Sequence, residues 1–163
     1  MQYLSYFHNH LIHAVLIEND GYLSHLLFQQ QGLSLPVSGS EQETPLLKQT
    51  KEQLTAYFNG ERQRFTIPLQ PDGSPFQLRV WQALTTIPYG KTASYGQIAA
   101  AIGKPTAARA VGSANHQNPI AILIPCHRII GADGSLTGYG GGLPLKQALL
   151  DLEQQYYHGT TEL

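Results

Sequence analysis

The sequence predicts a mixed α/β chain in two parts. A small α/β domain with a β-sheet occupies residues 1–73, and a mostly helical domain with a helix-turn-helix occupies residues 74–163. Three observations predict this. Apolar runs bracket an Asn19-Asp20-Gly21 turn, the breaker cluster Gln70-Pro71-Asp72-Gly73-Ser74-Pro75 interrupts the chain near its middle, and helical spacings dominate after it.

Composition narrows the classes. The chain of 163 residues is 42% hydrophobic and 13% charged with a net charge of −1, which excludes a disordered chain. At this length one core buries roughly two-thirds of the extended surface. The longest apolar run, Ile120 to Pro125, is far short of the ~20 residues that span a bilayer. Met1 to His13 lacks the basic start and continuous apolar stretch of a secretory signal. Cys126 is the one cysteine, so an intramolecular disulfide and a multi-cysteine zinc site are both excluded, and a reducing cytoplasm is the expected location.

In the first half, residues 14–18 and 22–28 around the Asp-Gly turn read as a β-hairpin. Residues 29–45, rich in Gln, Ser, Gly and Pro, read as loop. Leu47, Leu54 and Phe58 stand near helical spacing over residues 46–58, and Asn59-Gly60 ends that helix. Phe65, Ile67 and Leu69 alternate as a short edge strand, with Pro68 arguing against a central one.

In the second half, Phe76, Val80, Trp81 and Leu84 mark an amphipathic helix capped by Ser74 and stopped by Ile87-Pro88-Tyr89-Gly90. Ser94 caps a helix through Ile98, Ala99 and Ile102. After the turn Gly103-Lys104-Pro105, Thr106 caps another over residues 107–115, completing the helix-turn-helix. Ala107, Ala108, Ala110, Val111, Gly112, Ser113 and Ala114 make that helix small-sided, with Arg109 protruding. Close approach to a partner and tight internal packing both account for this. Ile120 to Ile124 reads as a buried extended segment leading to Pro125-Cys126-His127-Arg128. A glycine-rich stretch over 131–142 follows, then a helix over 146–156 with Leu145, Leu149, Leu152 and Tyr156 on one side.

The charge is uneven. Residues 1–73 carry four basic and seven acidic residues, whereas residues 74–163 carry six basic and four acidic. From Ser74 to Ala132, Arg79, Lys91, Lys104, Arg109 and Arg128 occur without one Asp or Glu. Such a stretch is either uncharged interior or a surface for an anion, and nucleic acid is the obvious anion.

A lone cysteine in apolar surroundings is most often an inert core residue. Here His127 and Arg128 follow it, and cationic neighbours lower a thiol pKa. A thiolate is a soft nucleophile suited to alkyl carbon. Adjacent side chains of an extended segment point opposite ways, so a bound water is the candidate relay between Cys126 and His127. A carboxylate then orients the imidazole. Glu153, Asp133 and Asp151 are the candidates, and spacing does not choose among them. His8, His10 and His13 lack acidic or sulfur partners, so no metal is expected there.

Ile124-Pro125-Cys126-His127-Arg128-Ile129 resembles the I-P-C-H-R-[IV] signature of the O6-alkylguanine-DNA alkyltransferases, the methylated-DNA–protein-cysteine methyltransferases. Ser94-Tyr95, Arg109-Ala110-Val111-Gly112, Asn118-Pro119, Tyr139 with its glycines, Lys146 and Leu149-Leu150 with Glu153 stand in the same order and spacing, covering about Phe76 to Glu153. The resemblance implies a ribonuclease-H-like first domain and a winged-helix-like second one. It implies a monomer without cofactor that acts on double-stranded DNA containing O6-alkylguanine, with no membrane partner; O4-methylthymine stays open as a second substrate. The helix-turn-helix would bind the minor groove and the damaged base would be flipped out. Cys126 would take the alkyl group irreversibly, with His127 as base through water and Glu153 holding His127. Arg109 would fill the vacated stack, Tyr95 would contact the phosphate of the flipped nucleotide and help neutralise the leaving guanine, and Asn118 would brace the active-site turn. Thr106, Ala107, Ser113 and Arg128 would complete the DNA surface. Tyr139, with backbone groups of Ile129 and Gly140, would form the base pocket. Gly140 stands where many members carry Ser, so only its backbone serves there, and Ala121 stands where some carry Pro.

Two readings from other classes stand beside this one. A DNA-binding module that keeps the fold but replaces the reactive cysteine is disfavoured by Cys126. A Cys-His hydrolase would turn over repeatedly and need an oxyanion-binding site.

Overall fold

The computed structural model describes residues 1–29 and 39–157. These fall into two compact units, one made of residues up to 72 together with 119–121, the other of residues 73–118 together with those from 122 onward.

The first unit is built on a four-stranded sheet of order β3-β2-β1-β4. Strands β1 (Gln2–His8), β2 (His13–Asn19) and β3 (Tyr22–Phe28) form an antiparallel meander, and the short β4 (Ser40–Glu41) pairs parallel with β1. Asp20 and Gly21 turn the β2–β3 hairpin with φ of 51° and 87°. Glycine meets that requirement freely and Asp tolerates it. β2 is central, and Ala14, Val15, Leu16 and Ile17 are buried on both faces. Helix α1 (Pro45–Phe58) lays Leu47, Leu54, Tyr57 and Phe58 into the core. Thr44 caps it by accepting the Leu47 N–H, and Asn59-Gly60 closes it, with Gly60 N–H on the Tyr57 carbonyl and Glu61 N–H on the Ala56 carbonyl.

Three sequence expectations change here. β1 lies in a stretch for which the pattern predicts no element. β4 lies in residues read as loop, of which 30–38 fall outside the described residues. The strand expected over residues 65–69 is reduced to a single bridge between Leu69 and Leu23. The Pro68 carbonyl accepts the Leu23 N–H, but Pro68 has no N–H to continue a ladder. His8 and His13 face each other in the β1–β2 register with ring centroids 5.8 Å apart. Among the described residues no three His, Cys, Asp or Glu side chains are grouped to hold a metal ion.

The second unit packs α2 (Pro75–Leu84), α3 (Tyr95–Ala101), α4 (Ala108–His116) and α5 (Leu143–Tyr156), with a two-stranded parallel sheet of β5 (Ala93–Ser94) and β6 (Ile129–Ile130). Val80, Trp81, Leu84, Ile98, Val111 and Ala114 form the buried faces of α2 to α4. Ser74 and Ser94 each close a capping box, with Gln77 and Gln97 returning the bond. Ser94→Ala is expected to lower stability by about 1 kcal/mol in urea denaturation, because it strands a helix-end N–H. Gly103, at φ 78°, ends α3, with its N–H on the Ala100 carbonyl and Lys104 N–H on Ala99. α4 starts one residue later than expected. Its N-cap is Ala107 and no side chain caps it, so Thr106 does not do so. No described helix is long and apolar enough to cross a membrane.

Candidate functional site

The apolar run does not deliver Cys126 on an extended strand. Pro125 ends it and Cys126–Arg128 form one 3-10 turn, with Cys126 N–H on the Ile124 carbonyl at 2.8 Å. At three residues per turn the three side chains diverge by about 120°. Cys126, His127 and Arg128 therefore point to three different sets of partners, all of them buried.

His127 is fully buried, and its Nε2 lies 2.6 Å from Glu153 Oε2 on α5. Arg128 grips the same carboxylate with two donors, Nε to Oε1 at 2.8 Å and Nη2 to Oε2 at 3.0 Å, and gives Nη1 to the Ile87 carbonyl at 2.7 Å. Gly90 N–H adds a longer bond to Oε1 at 3.4 Å. Burial by itself would raise the Glu153 carboxyl. The hydrogen bond from His127 and the bidentate Arg128 outweigh it and hold the group at about 2, so Glu153 is ionised. Burial, opposed by Glu153, lowers His127 and keeps the imidazole neutral. A carboxylate on Nε2 holds the proton there. Nδ1 is left as the basic lone pair, buried and without a hydrogen-bond partner among the described residues.

Cys126 departs from its expectation. Its thiol is not lowered but pushed up to about 11 by burial, which outweighs the hydrogen bonds from Asn118 and Tyr139 and the charge of Lys146. At rest the sulfur is a thiol, and attack needs a base at the moment of reaction.

Arg128 is also corrected. It is 7% exposed with its donors committed to Glu153 and Ile87, so it braces the carboxylate and presents nothing to a phosphate. Asp133 and Asp151 lie elsewhere, Asp133 bonded to Ser135 and Asp151 to Gln147. Asn118 Nδ2 holds the Ile124 carbonyl at 2.8 Å. Tyr139 is buried against the sulfur and Gly140 is exposed beside it in sequence. The Ile129 N–H is already given to the Cys126 carbonyl, which leaves that amide closed to a ligand.

On the outer side of α4, Arg109 and Ser113 are exposed, as is Thr106 before it, while Ala107 is half-buried. An open groove of about 370 Å³ is lined by Tyr95, Ala108, Arg109, Gly112 and Thr137. The Tyr95 hydroxyl is bonded to Thr137 Oγ1, and Lys146 Nζ reaches the Thr137 carbonyl and hydroxyl at 3.2 and 3.3 Å.

Apolar spacing misjudges α5. Its fully buried stripe is Lys146, Leu149 and Glu153, at i, i+3 and i+7; of the predicted side Leu149 is buried, whereas Leu145, Leu152 and Tyr156 are only half-buried. The spacing is present in the sequence, but two of its three residues are charged. Asn115, whose amide reaches the Cys126 carbonyl, leaves no sequence signal.

The fold and site define a two-unit protein with a helix-turn-helix and a buried cysteine backed by a histidine–carboxylate pair. Residues 75–155 match the family model of the 6-O-methylguanine DNA methyltransferase DNA-binding domain, and residues 13–71 match its ribonuclease-like domain. The chain belongs to this 6-O-methylguanine DNA methyltransferase family. A methylated-DNA–protein-cysteine methyltransferase of Methanosarcina barkeri is 48% identical over 142 residues, 86% of this chain and 89% of that one. That of Mycolicibacterium paratuberculosis is 66% identical over 105 residues, 64% of each chain. The crystal structure of a Mycobacterium tuberculosis O6-methylguanine methyltransferase superposes with TM-score 0.89 at 44% identity, covering 98% of this chain and 96% of that one. A complex of the M. tuberculosis protein with DNA gives TM-score 0.86 at 44% identity, covering 94% of each chain.

Proposed function

We propose that this chain repairs DNA by direct reversal, moving the alkyl group of O6-methylguanine irreversibly to Cys126, once per molecule. The observation that carries the reading is the His127–Glu153 pair at 2.6 Å, which leaves a buried Nδ1 lone pair as proton acceptor one residue from the only thiol. Residues 74–163 are the DNA-binding and transfer domain, and residues 1–73 the N-terminal α/β domain. Double-stranded DNA is the partner, the protein acts as a monomer, and a reducing cytoplasm keeps the acceptor a thiol.

The damaged base leaves the stack to reach the sulfur, Arg109 takes its place, and Tyr95, Thr106, Ala107 and Ser113 meet the backbone. Tyr139 walls the pocket and the Gly140 backbone meets the guanine edge. The Cys126 proton passes through a water to His127 Nδ1. The sulfur lone pair attacks the methyl carbon in line with the C–O6 bond. An S–C bond forms, the C–O6 electron pair returns to guanine, and the imidazolium proton restores neutral guanine. Tyr95 supports the charge on the leaving base. The thioether has no leaving route, so the protein is consumed.

Incubation with an O6-methylguanine duplex is expected to add one methylene mass to the Cys126 peptide, at one equivalent and no more. DNA binding without that gain leaves a recognition module. Repeated turnover on an ester or peptide makes the protein a hydrolase.

A further inference from the structure

Helix α4 has two distinct sides. Arg109, Ala110 and Ser113 are exposed, whereas Val111, Ala114 and Asn115 are buried. Asn115 is 4% exposed, and its Nδ2 donates to the Cys126 carbonyl at 3.4 Å. Its Oδ1 is buried and has no hydrogen-bond partner among the described residues. A buried amide oxygen without a protein partner is unfavourable, and an apolar residue of similar volume would avoid it. What the amide does that an apolar side chain cannot is hold the Cys126 carbonyl.

That carbonyl also accepts the Ile129 N–H, and two residues earlier Asn118 holds the Ile124 carbonyl. Together these bonds pin both ends of the segment that carries Sγ. The end of α4 from which Asn115 reaches is itself fixed, because Trp81 Nε1 donates to the Ala114 carbonyl at 2.8 Å. The helix that exposes Arg109 therefore also holds the backbone of the acceptor cysteine.

We propose that Asn115 is a positioning residue for the alkyl transfer: it ties α4 to the Cys126 carbonyl and so holds the sulfur on line with the substrate carbon. The inference rests on the alkyl-transfer reading above. Asn115 touches neither substrate nor sulfur and acts through the backbone of Cys126.

The test is single-turnover alkyl transfer as a function of O6-methylguanine duplex concentration, with melting temperatures, for wild type, Asn115→Leu and Asn115→Ala. Both variants are expected to lower the limiting rate about tenfold, equivalent to about 1.4 kcal/mol, and to leave the half-saturating concentration unchanged. Asn115→Leu is expected to melt at or above wild type, which separates positioning from loss of folding. A limiting rate equal to wild type in Asn115→Leu overturns the proposal. So does a rate loss confined to Asn115→Ala and matched by lower melting. If wild type itself leaves Cys126 unalkylated, the alkyl-transfer reading fails and this inference falls with it, an outcome distinct from the other two.

Discussion

Glu153→Gln is expected to destabilise the protein by about 3–5 kcal/mol and to slow single-turnover transfer by about a hundredfold or more. The carboxylate accepts from His127, twice from Arg128 and from Gly90, all in a buried setting. Gln keeps the shape and removes the charge, so the Arg128 guanidinium, 7% exposed, stays buried without its counter-ion. The Gln amide also turns donors toward donors. His127 then loses the carboxylate that fixes its proton on Nε2, so Nδ1 is no longer held as the lone pair that the proposed transfer requires. Urea denaturation and a rate measurement on O6-benzylguanine check both halves. A stability loss below about 1 kcal/mol, the size of an exposed ion pair, would sink the argument.

The same carboxylate governs acid stability. Its value in the fold is about 2 against an ordinary 4.5. Because the folded value is the lower one, its stabilisation is complete above about pH 4.5 and drains away as pH falls toward about 2. Glu153→Gln is expected to flatten that part of the curve.

Arg109→Ala is expected to slow repair in duplex DNA on the order of a hundredfold while leaving reaction with free O6-benzylguanine near wild type. Arg109 is exposed at the rim of the groove beside Tyr95 and has no hydrogen bond or ion pair among the described residues, so its loss strands nothing in the fold. In the proposed reaction Arg109 acts only when a base has left the stack, and unstacking costs a few kcal/mol, which is the origin of the expected hundredfold. A free base has no stack to leave. Equal losses on both substrates would remove Arg109 from the flipping step.

Local chemistry is legible from the residues in order. Asp20-Gly21, Ser74, Ser94 and Asn59-Gly60 act on backbone within a few positions of themselves, so hairpin and helix ends can be read directly. The small-sided α4 with protruding Arg109 and the run into Pro125-Cys126-His127-Arg128 are legible for the same reason. Thr106 misleads because it is a capping residue type that caps nothing, whereas Ala107 occupies that position. β1 escapes notice because its identity as a strand depends on pairing with β2.

The order of residues determined the family motif, the β2–β3 turn, several helix ends and the one thiol available. The inward direction of Arg128, the protonated state of Cys126, the buried charges on α5 and the grip of Asn115 were settled only by packing. Each depends on a group far away in sequence, as Gly90 and Ile87 meeting Glu153 and Arg128 illustrate. Desolvation is set by what surrounds a side chain, and no local pattern carries that information.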